Sequence, residues 1–141
     1  MGLIKGGGLW IAFGLLVGCA VGQPTSLYAQ LGGQEGVEAL VDDLLFRIVD
    51  DPRISSHFVD ADILRLRDML VEQVCDEAGG PCRYSGLSMA ESHAGRGISE
   101  ADFNALVEDL IDVMEAHGLP VTVQNRLLVR LAPMQTDIVE H

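Results

Sequence analysis

The stretch RYSGLSMAESHAGRGISEADFNALVEDL, residues 83–110, decides the fold of this chain. Ser88 and Glu91 have the spacing of a capping box, which predicts a short helix that ends near His93. Two glycines follow and permit a sharp bend, and Ser99 then caps a longer helix. One of only four histidines in the chain therefore lies beside a glycine-rich corner between two helices.

The rest of the domain has apolar residues at helical spacing and no strand-like alternation of useful length. A first long helix begins near Gln34, a second is capped by Asp60 or Asp62, and a last helix opens at Thr122 and is kinked at Pro133. The apolar face predicted for the first long helix comprises Val37, Leu40, Val41, Leu44, Leu45 and Ile48. We therefore predict an all-α domain with four main helices.

The composition excludes one class of partner. The chain has 141 residues, 48% of them hydrophobic, and a formal net charge of −12. Its only lysine is Lys5, so the sequence lacks the basic patch that neutralises a run of phosphates. We predict one domain with a sizeable core and no nucleic-acid partner.

Residues 1–18 have the layout of an export signal, in which Lys5 precedes an apolar stretch too short to span a bilayer comfortably. The stretch ends in Leu16-Val17-Gly18-Cys19, which resembles a bacterial lipobox and makes Cys19 the predicted lipid attachment site. An ordinary signal peptide or an uncleaved N-terminal anchor is the alternative. We expect residues 19–25 to be a linker and residues 26–141 the folded domain.

This layout predicts an exported protein that is lipid-anchored at the cell envelope, at the outer membrane or in the periplasm. It contacts the membrane only through the N-terminal lipid. Cys75 and Cys82 are the cysteines that remain, and an even pair in an exported protein indicates a disulfide. Free thiols are the other interpretation, whereas two cysteines with no nearby histidine provide too few ligands for a metal site.

His93 is the candidate ligand residue. It follows Met89 by four positions, so both side chains lie on one helical face. A histidine on an apolar face is either a core residue bonded to a backbone carbonyl or a ligand of a metal or cofactor. No second histidine or carboxylate is spaced to complete a zinc or di-iron site. A single imidazole can hold haem iron, because the porphyrin supplies four in-plane ligands.

Several ordered motifs together resemble a group 1 truncated haemoglobin over residues 26–139. The motifs are Gly32-Gly33, the Asp51-Pro52 loop that ends in Phe58, Gly79-Gly80-Pro81, Tyr84-x-Gly86 and His-x-Gly-x-Gly-Ile at residues 93–98. The resemblance implies a truncated globin fold, which is a two-over-two helical sandwich enclosing haem b (iron protoporphyrin IX). It also implies a diatomic gas as ligand and a reductase as an unidentified partner.

The same resemblance assigns residues to the haem site. His93 matches the proximal ligand of the iron and is the only predicted metal ligand. Phe58 matches the phenylalanine that packs on the porphyrin face. The residues expected to line the proximal side are Tyr84, Met89, Ile98 and Phe103.

The distal side departs from the family pattern. The family usually has a tyrosine at the position of Leu45 and often a glutamine at the position of Leu70, and both strengthen hydrogen bonding to the gas. Leu66 faces the sixth coordination position in the same match. The predicted distal pocket is therefore apolar. Loss of a hydrogen bond worth roughly 0.5–3 kcal/mol predicts oxygen dissociation about tenfold faster or more, with carbon monoxide and nitric oxide affected less.

Four other basic residues have weaker roles in this interpretation. His57 is a surface or propionate-contact residue, or else a sixth ligand. Arg67 and Arg96 either pair with propionates or face water. His117 lies in the last turn of its helix, where a cation suits the helix dipole.

Three functions are open at this point. The first is reversible binding of oxygen, nitric oxide or carbon monoxide at the bacterial cell envelope. The second is haem-dependent detoxification of nitric oxide or peroxide, although an apolar distal side offers no acid or base for O–O cleavage. The third is a haem-free envelope interaction module on a globin fold, with leucines filling the pocket. We expect a gas-binding protein and leave weak nitric oxide dioxygenase or peroxidase activity open.

Overall fold

The computed structural model describes Gly2 and residues 25–140, so Cys19, most of the predicted linker and all but Gly2 of the predicted export signal lie outside the described residues. Within that range the secondary structure is helical, and none of the helices is long and apolar enough to cross a membrane. The α-helices are α1 (Leu27–Gln30), α2 (Gly33–Asp50), α3 (Ile63–Glu77), α4 (Met89–His93), α5 (Glu100–Ala116), α6 (Val121–Leu131) and α7 (Gln135–Ile138). Two 3₁₀ helices span Ser55–Phe58 and Ala132–Met134.

Four long helices, α2, α3, α5 and α6, form the body of the domain. α2 packs against both α3 and α5, and α3 also contacts α6. The apolar face predicted for α2 is confirmed, because all six of its residues are buried. The core is completed by buried apolar residues of the other three long helices, which are Val71, Val74, Ala105, Leu110, Val113, Met114, Val123 and Leu127.

Local capping chemistry sets where the shorter elements begin. Ser88 and Glu91 form the predicted capping box, and the predicted cap Ser99 forms a second one with Asp102. Of the two aspartates proposed to cap α3, Asp62 does so, and its side chain accepts a hydrogen bond from the backbone of the third residue of the helix. These caps place α4 and the start of α5 on either side of the glycine-rich corner.

The end of the chain differs from the prediction. α6 begins at Val121, one residue before Thr122, and ends at Leu131. Pro133 does not kink a continuous helix, because the chain there forms the 3₁₀ helix that separates α6 from α7. Proline has no N–H to donate to the preceding turn, which explains why the α-helical hydrogen bonding stops. The result is a separate short helix, α7, which packs against α4.

Candidate haem site

His93 is the last residue of α4, and its side chain is half-buried. Its Nδ1 atom lies 2.8 Å from the carbonyl oxygen of Met89. A carbonyl oxygen only accepts, so Nδ1–H donates this hydrogen bond, and Oγ of Ser92 lies 3.1 Å from the same nitrogen. In the neutral imidazole the lone pair is then on Nε2, which is the tautomer suited to a metal.

The bond to a backbone carbonyl is also what a structural core histidine would make. Two observations distinguish His93 from that case. The residue is half-buried rather than buried, and within the described residues Nε2 takes part in no hydrogen bond. Ligand histidines commonly have this arrangement, in which one nitrogen is held by a backbone carbonyl and the other is free to coordinate.

The three leucines predicted on the distal side and Phe58, predicted to pack on the porphyrin face, lie on three elements. Leu45 on α2 is part of the buried core, at 9% exposure. Phe58 ends the first 3₁₀ helix, and Leu66 and Leu70 lie one turn apart on α3. These three side chains are partly buried and pack against the core. The leucines of α3 therefore cover the core on one side and keep part of their apolar surface exposed.

The Tyr84-x-Gly86 motif has a local structural reason. The hydroxyl of Tyr84 donates to the carbonyl oxygen of Leu87 at 2.8 Å, which folds the ring back over Gly86. A Cβ atom at position 86 would lie 2.5 Å from Cζ of the ring, so only glycine leaves room for it. Burial raises the pKa of Tyr84, with a further contribution from the charge of Glu72.

The loop that carries Tyr84 is fastened to α3 at three points. Cys82 is disulfide-bonded to Cys75. The backbone N–H of Tyr84 donates to Oδ2 of Asp76 at 3.0 Å. The backbone N–H and the hydroxyl of Ser85 both donate to Glu72, at 2.9 and 2.7 Å, and these bonds hold the pKa of that carboxyl below its usual value. The loop before α4 is therefore tied to the helix that bears Leu66 and Leu70.

The other residues predicted to line the proximal side lie before and after the glycine-rich corner. Met89, Ile98 and Phe103 are all half-buried. The backbone N–H of Glu140 donates to the carbonyl oxygen of Ile98 at 3.0 Å, so the C-terminal end of the described chain is held at this corner.

His57 pairs with Asp102 in the first turn of α5. Its Nε2 lies 3.3 Å from Oδ2 of Asp102. The pKa of Asp102 is lowered, first by hydrogen bonds from Ser99 and then by His57. This pair connects the 3₁₀ helix that carries Phe58 with the helix that carries Phe103.

The two arginines considered for propionates both have partners within the protein. Arg67 donates its Nε and Nη2 to the two carboxylate oxygens of Asp42, at 2.5 and 3.0 Å, which joins α3 to α2. Arg96 donates its Nε to the carbonyl oxygen of Ser92 at 2.7 Å. His117 caps the C-terminus of α5, and its Nε2 lies 2.7 Å from Oδ2 of Asp43.

Gln73 is a polar residue of this region that the sequence analysis missed. Its Nε2 lies 3.3 Å from the sulfur of Met89 and 3.3 Å from the sulfur of Met134. Its spacing could have indicated its position, since Gln73 follows Leu66 by seven residues and Leu70 by three. It therefore shares their face of α3.

The set of donors fits a cofactor that brings its own metal ligands. Among the described residues no group of three or more histidine, cysteine, aspartate or glutamate side chains could hold a metal ion. One imidazole nitrogen is free, and half-buried apolar side chains lie on the neighbouring elements. This chemistry suits a flat, largely apolar group with one axial position for a histidine.

Comparison with known proteins identifies the class. The family model described as bacterial-like globin matches residues 26–140. The chain is 32% identical over 116 residues to the group 1 truncated hemoglobin GlbN of Mycolicibacterium paratuberculosis, covering 82% of this chain and 85% of that protein. It is 30% identical over 114 residues to the GlbN of Nostoc commune, covering 81% of this chain and 97% of that protein.

Solved structures show the same fold. The crystal structure of the truncated hemoglobin from Tetrahymena pyriformis in its Fe(III) form superposes with a TM-score of 0.80 at 23% identity, over 83% of this chain and all (100%) of that one. The 2/2 hemoglobin from Synechococcus has a TM-score of 0.78 at 21% identity, over the same 83% and 100%. The chain is a bacterial-like globin with the predicted two-over-two fold. Within that class it belongs to the group 1 truncated haemoglobins.

Proposed function

We propose that this globin holds haem b through Nε2 of His93 and reversibly binds a diatomic gas. The observation that carries the proposal is the bond from Nδ1 of His93 to the carbonyl oxygen of Met89, which in the neutral imidazole leaves the lone pair of Nε2 available to iron. Two of the similar structures support it, since one is of an Fe(III) form and the other is cyanomet with covalently attached heme.

Haem held by His93 would supply the iron that binds the gas. The protein supplies the surroundings of that position. Leu45, Leu66 and Leu70 are apolar and offer no hydrogen-bond donor, and they exclude water from the distal side. A gas that is polarised on binding gains nothing from such side chains. We therefore propose that the site retains oxygen weakly relative to carbon monoxide and nitric oxide.

The location of the protein is a second part of the proposal. We propose that Cys19 is lipidated after export and holds the globin domain at the cell envelope. The disulfide between Cys75 and Cys82 supports this, because disulfides persist mainly in oxidising compartments outside the cytosol. Mass spectrometry of the protein from its native membranes tests it. A Cys19→Ser variant that keeps the same lipid adduct would contradict the assignment.

The central experiment is reconstitution of the full chain in detergent with hemin, followed by absorption spectroscopy. We expect a Soret band that is lost or strongly altered in His93→Ala. His117→Ala is the matched control, because that histidine caps α5 and pairs with Asp43 away from α4. A chain that takes up no hemin, or a Soret band that is the same in His93→Ala, would falsify the proposal.

The haem-free module is the alternative that this experiment excludes or supports. If the distal leucines filled the pocket themselves, they would be fully buried. Leu45 is buried, but Leu66 and Leu70 are half-buried and keep apolar surface that a bound group would cover, which favours haem binding. Detoxification of peroxide is less favoured than gas binding, because the three distal leucines offer no acid or base.

A further inference from the structure

We propose that Gln73 is a positioning residue for His93 and acts through Met89. The inference rests on the proposed function, in which His93 is the axial ligand. It concerns how a short helix that has little core of its own is held in place.

The helix that carries His93 has few attachments. α4 has five residues, and none of them is buried. Its other side-chain hydrogen bonds are local, such as those between Ser88 and Glu91 and between Ser92 and the backbone of the preceding turn. Within the described residues, the hydrogen bond from Gln73 to Met89 is the only one that joins a side chain of α4 to another element.

The contacts form a continuous path from α3 to the imidazole. Gln73 donates from Nε2 to the sulfur of Met89, and the carbonyl oxygen of Met89 accepts from Nδ1 of His93. The amide nitrogen has two hydrogens, and the second points to the sulfur of Met134 at 3.3 Å. Met134 belongs to the 3₁₀ helix that leads into α7, the helix that packs against α4. Gln73 therefore lies where three elements meet.

In this arrangement Gln73 orients the imidazole of His93 without contacting it. Met89 connects the two hydrogen bonds, since its sulfur accepts from Gln73 and its backbone carbonyl oxygen accepts from His93. A shift of Met89 moves the acceptor that sets the tautomer and the ring angle of the imidazole. Groups that hold a ligand histidine in this way affect metal affinity and ligand geometry although they do not bind the metal.

The first test needs no haem. In the haem-free protein labelled with ¹³C at the methionine methyl groups, Gln73→Leu is expected to shift the signals of Met89 and Met134. Gln34→Leu is the matched control, because Gln34 is an exposed residue of α2 that bonds Glu38 within its own helix. Unchanged signals for both methionines in Gln73→Leu would overturn the inference, whatever the protein binds.

The second test uses the haem-loaded full chain and a double-mutant cycle. We expect Gln73→Leu and Met89→Leu each to raise the rate of haem loss about tenfold, by the scale of outer-shell effects on metal ligands. Each is also expected to move the iron–histidine stretching band in the resonance Raman spectrum. The double variant should be no worse than either single one, because both remove the same path.

The outcomes separate this inference from the proposed function. In one outcome the Soret band depends on His93, but Gln73→Leu changes neither the rate of haem loss nor the iron–histidine stretching frequency. This outcome overturns the role of Gln73 and leaves haem binding intact. Additive effects in the double variant also overturn it, since Gln73 would then not act through Met89. Loss of the Soret band from the parent chain overturns the proposed function itself.

Discussion

Cys82 is bonded to Cys75, which joins the loop before α4 to the last turn of α3. Tyr84 and Ser85 add hydrogen bonds from the same loop to Asp76 and Glu72. The loop that leads to α4 and His93 is thus attached to α3, the helix that carries Leu66 and Leu70. We therefore expect substitutions in α3 to affect the position of α4.

The disulfide is expected to stabilise the fold. Its two cysteines are separated by seven positions, and closing so short a loop contributes about 2–3 kcal/mol to the free energy of unfolding in the chain-entropy model. We predict that the double variant Cys75→Ser, Cys82→Ser loses about that amount in urea unfolding of the haem-free protein. Adding a reductant should lower the parent protein to the same value and leave the variant unchanged. A parent protein insensitive to reductant would show that the bond contributes nothing.

A hydroxyl at position 45 should restore a distal hydrogen bond. We predict that Leu45→Tyr slows oxygen dissociation by about tenfold, since about 1.4 kcal/mol of added stabilisation is one decade. Carbon monoxide dissociation should change little. Leu45→Phe is the matched control, because it adds the ring without the donor. Equal oxygen dissociation rates in the two variants, measured by ligand replacement, would mean that residue 45 does not face the gas.

Gly36 is expected to tolerate no side chain. It lies in the first turns of α2, where an added Cβ would collide with the backbone carbonyl oxygen of Leu31. Replacing glycine by alanine at an unobstructed helix position normally stabilises the protein by about 0.5–1 kcal/mol. A destabilised Gly36→Ala variant would therefore contradict helix propensity and point to the collision. We predict that Gly36→Ala destabilises the haem-free protein by about 1–3 kcal/mol, as overpacking does.

Gly118→Ala is the comparison for that variant. An added Cβ at Gly118 meets no atom within 4 Å, but the backbone there has a φ of +68°. We expect a loss of about 1–2 kcal/mol from the left-handed conformation alone. If Gly36→Ala is as stable as the parent protein in thermal unfolding, α1 and α2 do not approach each other as described.

Asp109 should make stability depend on pH. It is 3% exposed, its Oδ1 accepts from Arg47 at 3.1 Å, and its Oδ2 has no hydrogen-bond partner. Burial, with the nearby charge of Asp51, raises the pKa of this carboxyl above its usual value. The folded state then holds the proton more tightly than the unfolded state. The resulting penalty is absent below the unfolded pKa and grows as pH rises through the folded pKa.

We predict that Asp109→Asn removes this penalty. The free energy of unfolding of the variant should increase relative to that of the parent as pH is raised from about 4 to about 7, the range above the ordinary aspartate pKa. Urea unfolding at a series of pH values measures the difference. Asp112→Asn is a suitable control, because Asp112 also pairs with Arg47 but is about half-exposed. A difference that is constant with pH would contradict the raised pKa.

Much of the site was accessible from sequence because its signals are local. The capping boxes of α4 and α5 involve residues three positions apart, and the ring of Tyr84 meets Gly86 two positions away. The assignment of the haem-site residues remains a prediction. The Gln73–Met89 contact was missed, because a glutamine on an apolar stripe has no distinctive pattern until its partner is known.

The sequence by itself determined the helical class, the caps of α4 and α5 and the position of His93 at a glycine-rich corner, since these follow from apolar periodicity and from hydrogen bonds between close neighbours in the chain. Only the tertiary structure decided the burial of Asp109 beside Arg47 and the meeting of Gln73 with Met89 and Met134. The physical reason is that each of these depends on how helices pack, and a contact between residues as much as 62 positions apart leaves no trace in the local pattern of either segment.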